Sequence, residues 1–196
     1  MLPWRSLREA NDLNMESWGL YCQKIESGLK IPDAKSAQLN RFKARYDLAR
    51  NFKKLEIIKA TERTTKGYAS IFSVFLAYNA AEKLGNIIDF QILKWELNDI
   101  ELAAQLRKLL IVLNLDVDEF VQGKLKDYFD DFMQGGTDNI RIPATVIRNS
   151  FAHGSLTPSI LKATTKGRQK TLNRVAVILL KETKRIFTNW VDSLES

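Results

Sequence analysis

The chain has 196 residues and a net charge of +7 at pH 7, with 45% hydrophobic and 27% charged residues. This balance predicts a folded globular protein with one core and argues against a disordered chain. Its apolar runs are far shorter than the roughly 20 residues that cross a bilayer, so no membrane partner is expected.

The first third of the chain predicts two helices. Ser6 is placed to cap a helix over about 7–27, and a turn over 28–32 follows it. Asp33 can cap a second helix, in which apolar residues recur at spacings of three or four while the opposite face is basic. Those basic side chains are also consistent with an ordinary solvated surface.

The middle of the chain predicts a central helix. Residues 67–95 are apolar on nearly every face, which is typical of a helix inside a bundle, and Gly85 is a candidate position for a kink or an interruption of the helix. Asn98 or Asp99 can then cap a helix over about 98–114.

The last third predicts three more helices. An acidic helix begins at about Asp116 and ends near residue 135. Pro143 suits the first turn of a short helix over 144–153, because proline needs no amide partner there. A connector is expected over 155–170 and a closing helix over 171–194.

The predicted fold is a single all-α bundle of six or seven helices that covers residues 1–196. The four prolines lie at plausible helix boundaries, and no long segment alternates apolar and polar residues as a half-buried strand does. No internal repeat or linker indicates a second domain.

Basic residues are concentrated in two regions, which favours a polyanionic partner such as RNA or a nucleotide. Residues 41–66 carry nine Lys or Arg against three acids, and residues 141–185 carry ten against Glu182 alone. The two regions can act together only if the fold brings them to one side of the molecule.

Cys22 is the single cysteine of the chain, so it excludes an internal disulfide and a cysteine-rich metal site. A lone cysteine favours a reducing compartment, and we therefore expect a cytoplasmic location. The sequence has no glycine-rich phosphate loop and no histidine pair for zinc, so neither a cofactor nor a metal is expected.

The chain contains one histidine, His153, at the end of the short helix predicted over 144–153. A reaction that needs an imidazole near neutral pH must use this residue. Asn149 lies four positions earlier on the same helical face and could orient the ring. Arg148 lies about 140° around the helix from His153, so it could reach a phosphate that His153 also contacts only from the side. Arginine matches phosphate oxygens and histidine moves protons, which suits phosphodiester cleavage without a metal.

This segment also resembles a known signature. Arg148 and Asn149, followed by three residues, His153 and Gly154, resemble the Arg-polar-x-x-x-His motif of the HEPN superfamily (higher eukaryotes and prokaryotes nucleotide-binding domains). Members of that superfamily are helical bundles that carry the motif late in the chain, near a helix end.

A second part of the resemblance lies earlier in the chain. Residues 77–84 are similar to the central helix of HEPN domains, and the resemblance implies that Glu82 supplies an acid facing the motif. The likeness extends loosely over residues 67–194 and leaves the helices of residues 1–66 without an assigned role.

The resemblance implies a metal-independent endoribonuclease, of the kind found in toxin–antitoxin and phage-defence systems, with an antitoxin as one expected partner. In such an enzyme the RNA 2′-hydroxyl attacks the phosphate, with His153 as acid/base, Arg148 as the phosphate clamp and Asn149 as a positioning group. Cleavage needs both a base and an acid, and the chain has one histidine, so we expect a homodimer with paired sites.

Two other functions stay open. A non-catalytic HEPN-like module would use the same Arg148 pocket to bind a nucleotide or nucleic acid, and a protein-interaction subunit would depend on its surface instead of the motif. Tyr78, one helical turn before Glu82, is predicted to be a core residue. The four tryptophans are likewise predicted to pack in the protein and not to stack on bases.

Overall fold

The structure is a computed structural model that describes residues 12–113, 121–154, 156 and 165–194. Its helices are α1 (Ser17–Glu26), α2 (Asp33–Asn51), α3 (Glu62–Ile87), a 3₁₀ helix (Ile92–Lys94), α4 (Ile100–Leu113), α5 (Lys124–Gln134), α6 (Arg141–Ala152) and α7 (Lys166–Asp192). The described residues form no strand, only an isolated antiparallel bridge between Asn98 and Asn139. The predicted all-α bundle is therefore confirmed.

The central helix of the bundle is α3. It packs against α2, α6 and α7, and its buried residues occur on nearly all of its faces, as the sequence predicted. Thr61 caps the start of α3, since its hydroxyl accepts a hydrogen bond from the Thr64 amide at 3.2 Å. This cap places the start of the helix before Gly67, the first residue predicted to be helical.

The end of α3 differs from the helix predicted over 67–95. The helix stops at Ile87 because the chain reverses there: Asp89 has a φ of 55°, and the Phe90 amide bonds back to the Gly85 carbonyl at 2.9 Å. A Cβ on Gly85 would lie 2.8 Å from the Phe90 carbonyl oxygen, so only glycine allows this return. Gly85 permits this close backbone approach, and the helix ends two residues after it, at Ile87.

The continuous helix predicted over 7–27 is wrong, because the chain is interrupted before α1. Leu13 and Met15 are both buried, and residues two apart cannot point to the same side of a helix. The Tyr46 hydroxyl donates to the Leu13 carbonyl at 2.9 Å and fixes the interruption. The predicted cap Ser6 lies outside the described residues.

Two later boundaries also differ from the prediction. The acidic helix starts only after Gly123, whose φ of 58° is incompatible with helix, and its predicted start at Asp116 lies outside the described residues. Residues 166–170, predicted as part of a connector, form the beginning of α7. The rest of that connector, apart from Leu156 and Thr165, also lies outside the described residues.

Arg107 connects α4 with the chain between α5 and α6. Its Nε donates to the Phe132 carbonyl at 2.6 Å, and its Nη2 donates to the Thr137 carbonyl at 2.6 Å and to the Asp138 carboxylate at 2.8 Å. The guanidinium also lies 4.7 Å from the centroid of the Phe132 ring. Arg107 thus gives the Phe132 carbonyl, in the last turn of α5, a second donor beside the Gly135 amide at 3.1 Å.

Asn139 fixes the start of α6. Its Oδ1 accepts hydrogen bonds from the amides of Leu97 and Arg141 at 3.2 and 3.1 Å, and its Nδ2 donates to the Trp95 carbonyl at 3.0 Å. The side-chain amide of Asn139 therefore accepts and donates hydrogen bonds as a backbone peptide group would, and it links two chain segments. This pairing holds the segment before α4 against the first turn of α6.

Buried apolar side chains from all seven α-helices join one hydrophobic core. The first part of α6 lies inside this core, since residues 141–147 are all buried. Within the described ranges, no helix has the length and apolar character needed to cross a bilayer.

Replacing Arg107 with Met should lower the free energy of unfolding by about 2–3 kcal/mol, because partly buried carbonyls lose a charged donor. The exposed neighbour Lys108 provides a matched control, and Lys108→Met should change stability by less than about 0.5 kcal/mol. Urea denaturation followed by circular dichroism measures both. Equal stabilities of the two variants would contradict the assigned role of Arg107.

Candidate functional site

The last turn of α6 carries the residues that the sequence singled out. Residues 141–147 are buried, Arg148 and Asn149 are half-buried, and Ala152 and His153 are exposed. The motif therefore begins where α6 leaves the core. At such a boundary one part of a side chain is held by the protein while another part remains accessible to a ligand.

Arg148 and Glu82 form an ion pair between α6 and α3. Arg148 Nη2 lies 2.8 Å from Glu82 Oε2, and the two side chains are 27% and 37% exposed. Glu82 was carried over to the site from the resemblance alone, and the structure brings it into direct contact with Arg148. Because the pair is partly open to solvent, its contribution to stability is modest.

Two further contacts hold the Arg148 guanidinium. Nη1 donates to Asn149 Oδ1 at 2.9 Å, and the guanidinium carbon lies 5.6 Å from the centroid of the Tyr78 ring, a cation–π distance. Arg148 Nε is buried and has no hydrogen-bond partner among the described residues. The guanidinium is thus fixed by an acid, an amide and an aromatic ring, and each terminal nitrogen keeps a second N–H.

Tyr78 is a core residue, as predicted, and it also contacts the candidate site. Its hydroxyl lies 3.1 Å from Thr145 Oγ1, which donates to the Arg141 carbonyl at 2.9 Å. Burial raises the pKa of Tyr78, the hydrogen bond with Thr145 lowers it, and the charge of Glu82 raises it further, with a net increase. Tyr78 therefore stays a neutral phenol beneath Arg148.

Sequence reasoning missed Thr145 and Arg141. Thr145 lies three residues before Arg148 and shares its helical face, a spacing that could have identified it. Arg141 is only 4% exposed, and its Nε donates to the Trp95 carbonyl at 3.3 Å. Its Nη1 has no hydrogen-bond partner in the part of the chain that the structure describes. Burial lowers the pKa of Arg141. No sequence pattern distinguishes this buried arginine from an exposed one.

His153 forms the C-terminal cap position of α6. Its amide bonds to the Asn149 carbonyl at 3.0 Å, and Gly154 follows with a φ of 76°, which confirms the predicted helix stop. Within the described residues, Arg148 contacts Glu82, Asn149 and Tyr78, and not His153. The expected orientation of the His153 ring by the Asn149 side chain stays a prediction, since Asn149 Oδ1 is engaged by Arg148.

The tryptophans of the described residues pack in the protein, as predicted. Trp95 is buried, and Trp18 and Trp190 each lie 5.8 Å from the ring centroid of Phe187. Trp4 lies outside the described residues.

Over the described ranges, no group of three or more His, Cys, Asp or Glu side chains lies together as a set of metal ligands. The candidate site consists of a guanidinium, a carboxylate, an amide and an imidazole, which come from Arg148, Glu82, Asn149 and His153.

No protein-family model, no curated protein and no solved structure matches this chain. The function is therefore inferred from the geometry and chemistry of the site itself.

The coupling between Glu82 and Arg148 can be measured with a double-mutant cycle. With Glu82→Gln and Arg148→Met, we expect a coupling energy of about 0.5–1 kcal/mol that decreases at high salt. The more exposed pair of Glu62 and Lys66 serves as the control, with an expected coupling of about 0.3 kcal/mol. A coupling for Glu82 and Arg148 no larger than this control would contradict an oriented pair.

Tyr78→Phe should cost about 1 kcal/mol at neutral pH, because the hydroxyl loses its buried hydrogen bond with Thr145. The folded state raises the pKa of Tyr78, so the stability linked to its neutral form is present below about pH 10 and is lost as pH rises through the folded value. The wild type should therefore lose more stability than Tyr78→Phe between neutral pH and the range above pH 10. Urea denaturation at several pH values tests this. Tyr68→Phe, a half-buried control on the same helix, should retain the pH dependence of the wild type.

Proposed function

We propose that this chain is a metal-independent endoribonuclease whose site is the last turn of α6. The observation that supports the proposal most directly is the half-buried Arg148, held by Glu82, Asn149 and Tyr78 on the same helix end as the only histidine of the chain. An oriented guanidinium and an exposed imidazole on one helix end can provide a phosphate clamp and a proton carrier.

Arg148 would bind the phosphate through the N–H groups that do not donate to Glu82 or Asn149. Glu82 takes one hydrogen of Nη2 and Asn149 one of Nη1, and the remaining hydrogen on each terminal nitrogen can donate to a nonbridging oxygen. Because the guanidinium is already oriented, little reorganisation is needed when negative charge builds up on the phosphorane.

His153 would move the protons. The neutral imidazole takes the proton of the RNA 2′-hydroxyl while its oxygen attacks the adjacent phosphorus, and an imidazolium gives a proton to the departing 5′-oxygen. The products are a 2′,3′-cyclic phosphate and a 5′-hydroxyl end. His153 is exposed, so substrate can reach the ring without rearrangement of the core.

One imidazole cannot be base and acid in the same step. We therefore propose that two copies of the chain pair around a two-fold axis, so that His153 of one copy takes the proton and the partner's His153 gives one. The position of His153 at an exposed helix end allows two such ends to meet without unfolding either copy.

A non-catalytic nucleotide- or RNA-binding module is the second candidate. It is favoured by the charge of Glu82, which neutralises much of the field of Arg148, and by the absence of a contact between Arg148 and His153. Such a module would bind through Arg148 with salt-dependent affinity and would leave the RNA intact. A role as a toxin, with an antitoxin as partner, or a role in phage defence would require the ribonuclease activity. We propose these roles only for the catalytic alternative.

The purified chain should cleave single-stranded RNA in the presence of EDTA, and His153→Ala should lower the rate by at least about 10²-fold. Arg148→Gln should lower it by about 10²–10³-fold, because the clamp is lost. Arg185→Gln, which alters an exposed arginine of α7, should retain the wild-type rate. Gel analysis of a labelled RNA and its end groups measures these effects.

RNA with 2′-O-methyl groups lacks the nucleophile and should remain intact, and the rate per chain should fall on dilution as the dimer dissociates. Cleavage of the methylated RNA, or full activity of His153→Ala, would overturn the mechanism. Salt-dependent binding of RNA that is never cleaved would establish the second candidate instead.

A further inference from the structure

Four half-buried phenylalanines form a continuous surface, called here the phenylalanine patch: Phe52, Phe72, Phe75 and Phe151. The Phe72 ring is central, with centroid distances of 5.3 Å to Phe52, 5.9 Å to Phe75 and 6.1 Å to Phe151. The Phe75 and Phe151 centroids are 5.5 Å apart. Each ring packs partly on the core and keeps part of its surface open to solvent.

The phenylalanine patch is joined to the candidate site through both helices that form the site. On α6, Phe151 lies three residues after Arg148 and two before His153, so it shares a helical face with the clamp. On α3, Phe75 lies one turn before Tyr78, the ring beneath Arg148. A ligand held by Arg148 therefore has the aromatic surface directly beside it.

The chain next to the patch is basic. Residues 53–66, which follow Phe52 directly, contain five Lys or Arg and two acids, and all five cationic side chains are exposed. Lys54 pairs with Glu56, and Lys66 lies 2.6 Å from Glu62, so a net positive charge remains on this segment. Along the chain, this basic segment leads from Phe52 into α3, the helix that carries Phe72 and Phe75.

We propose that the phenylalanine patch is a stacking platform for the unpaired bases of a single-stranded RNA whose phosphates are held by Arg148 and the basic segment 53–66. This inference rests on the proposed function, and it names the substrate class as single-stranded RNA. Duplex RNA keeps its base faces stacked inside the helix, so it cannot use the patch. Every base has an aromatic face, so the platform tolerates many sequences.

Charge favours RNA over a second copy of the chain as the occupant. In a two-fold interface centred on the patch, the same surface meets itself, so each basic segment 53–66 would lie close to its own copy. Like charges brought together in this way oppose association, whereas a polyanion is attracted by them. An aromatic surface bordered by cations is the arrangement that binds single-stranded nucleic acid.

The test uses fluorescence anisotropy with a labelled 2′-O-methyl oligouridylate of about 12 nucleotides, which the proposed ribonuclease cannot cleave. Phe72→Leu and Phe151→Leu keep the apolar volume and remove the aromatic face. Each should weaken binding by about 5- to 100-fold, which corresponds to the loss of one base–aromatic stack. Phe90→Leu changes a 39% exposed phenylalanine outside the patch and should leave the affinity unchanged.

An abasic oligomer with the same phosphates separates stacking from charge. The wild type should bind the abasic oligomer more weakly than the oligouridylate, and Phe72→Leu, which loses one stack, should show a smaller difference between the two probes. If wild type and patch variants bind both probes alike, the inference is wrong, even where RNA cleavage is observed. If the patch variants instead lose a dimer in sedimentation equilibrium without any change in base dependence, the patch is a protein interface and the inference is also wrong. Base-dependent binding together with a failure to cleave unmodified RNA would retain the patch and reject the proposed nuclease.

Discussion

The burial of the first two turns of α6 against α3 determines where every polar group of the candidate site lies. Residues 141–147 are buried, and Arg148, which follows them, is half-buried at the edge of the core. There it meets Glu82 and Tyr78 from α3. The same packing sets Phe151 against Phe75, so the ion pair and the aromatic surface both follow from one helix contact.

The charges within the candidate site largely cancel, so the site itself is not a strongly basic patch. Glu82 offsets the charge of Arg148, and Tyr78 is kept neutral by burial. A ligand phosphate would therefore be recognised by directed N–H groups near a nearly neutral surface, with long-range attraction supplied by the exposed lysines and arginines of residues 53–66. One set of groups would therefore orient the phosphate at the site, while another set would attract the ligand to the protein.

Much of this could be predicted from the sequence where the signal is local. The helix stop at Gly154, the first-turn position of Pro143 and the cap at Asp99 all follow from short-range backbone chemistry, and each is found in the structure. The contact of Glu82 with Arg148 was implied only by a family resemblance, because 66 residues separate the two along the chain.

The remaining features depend on contacts between distant segments. α3 was expected to continue to about residue 95, since its residues remain apolar there, but the return of Phe90 over Gly85 ends the helix earlier. The interruption before α1 depends on a core that accepts both Leu13 and Met15. Arg107 and Asn139 likewise bond to segments that no local pattern connects to them. Tertiary packing overrides helix periodicity at each of these places.

The guanidinium of Arg141 has a consequence for the motion of the site. It is buried with one unfilled donor, and in the described part of the chain no carboxylate pairs with it. A cation without a counter-charge loses hydration on burial and regains it when its surroundings open. The free energy needed to open α6 locally is therefore lower than for a helix seated only by apolar residues. Because Arg141 and Arg148 lie on one short helix, an opening of α6 that rehydrates Arg141 would displace the candidate site as well.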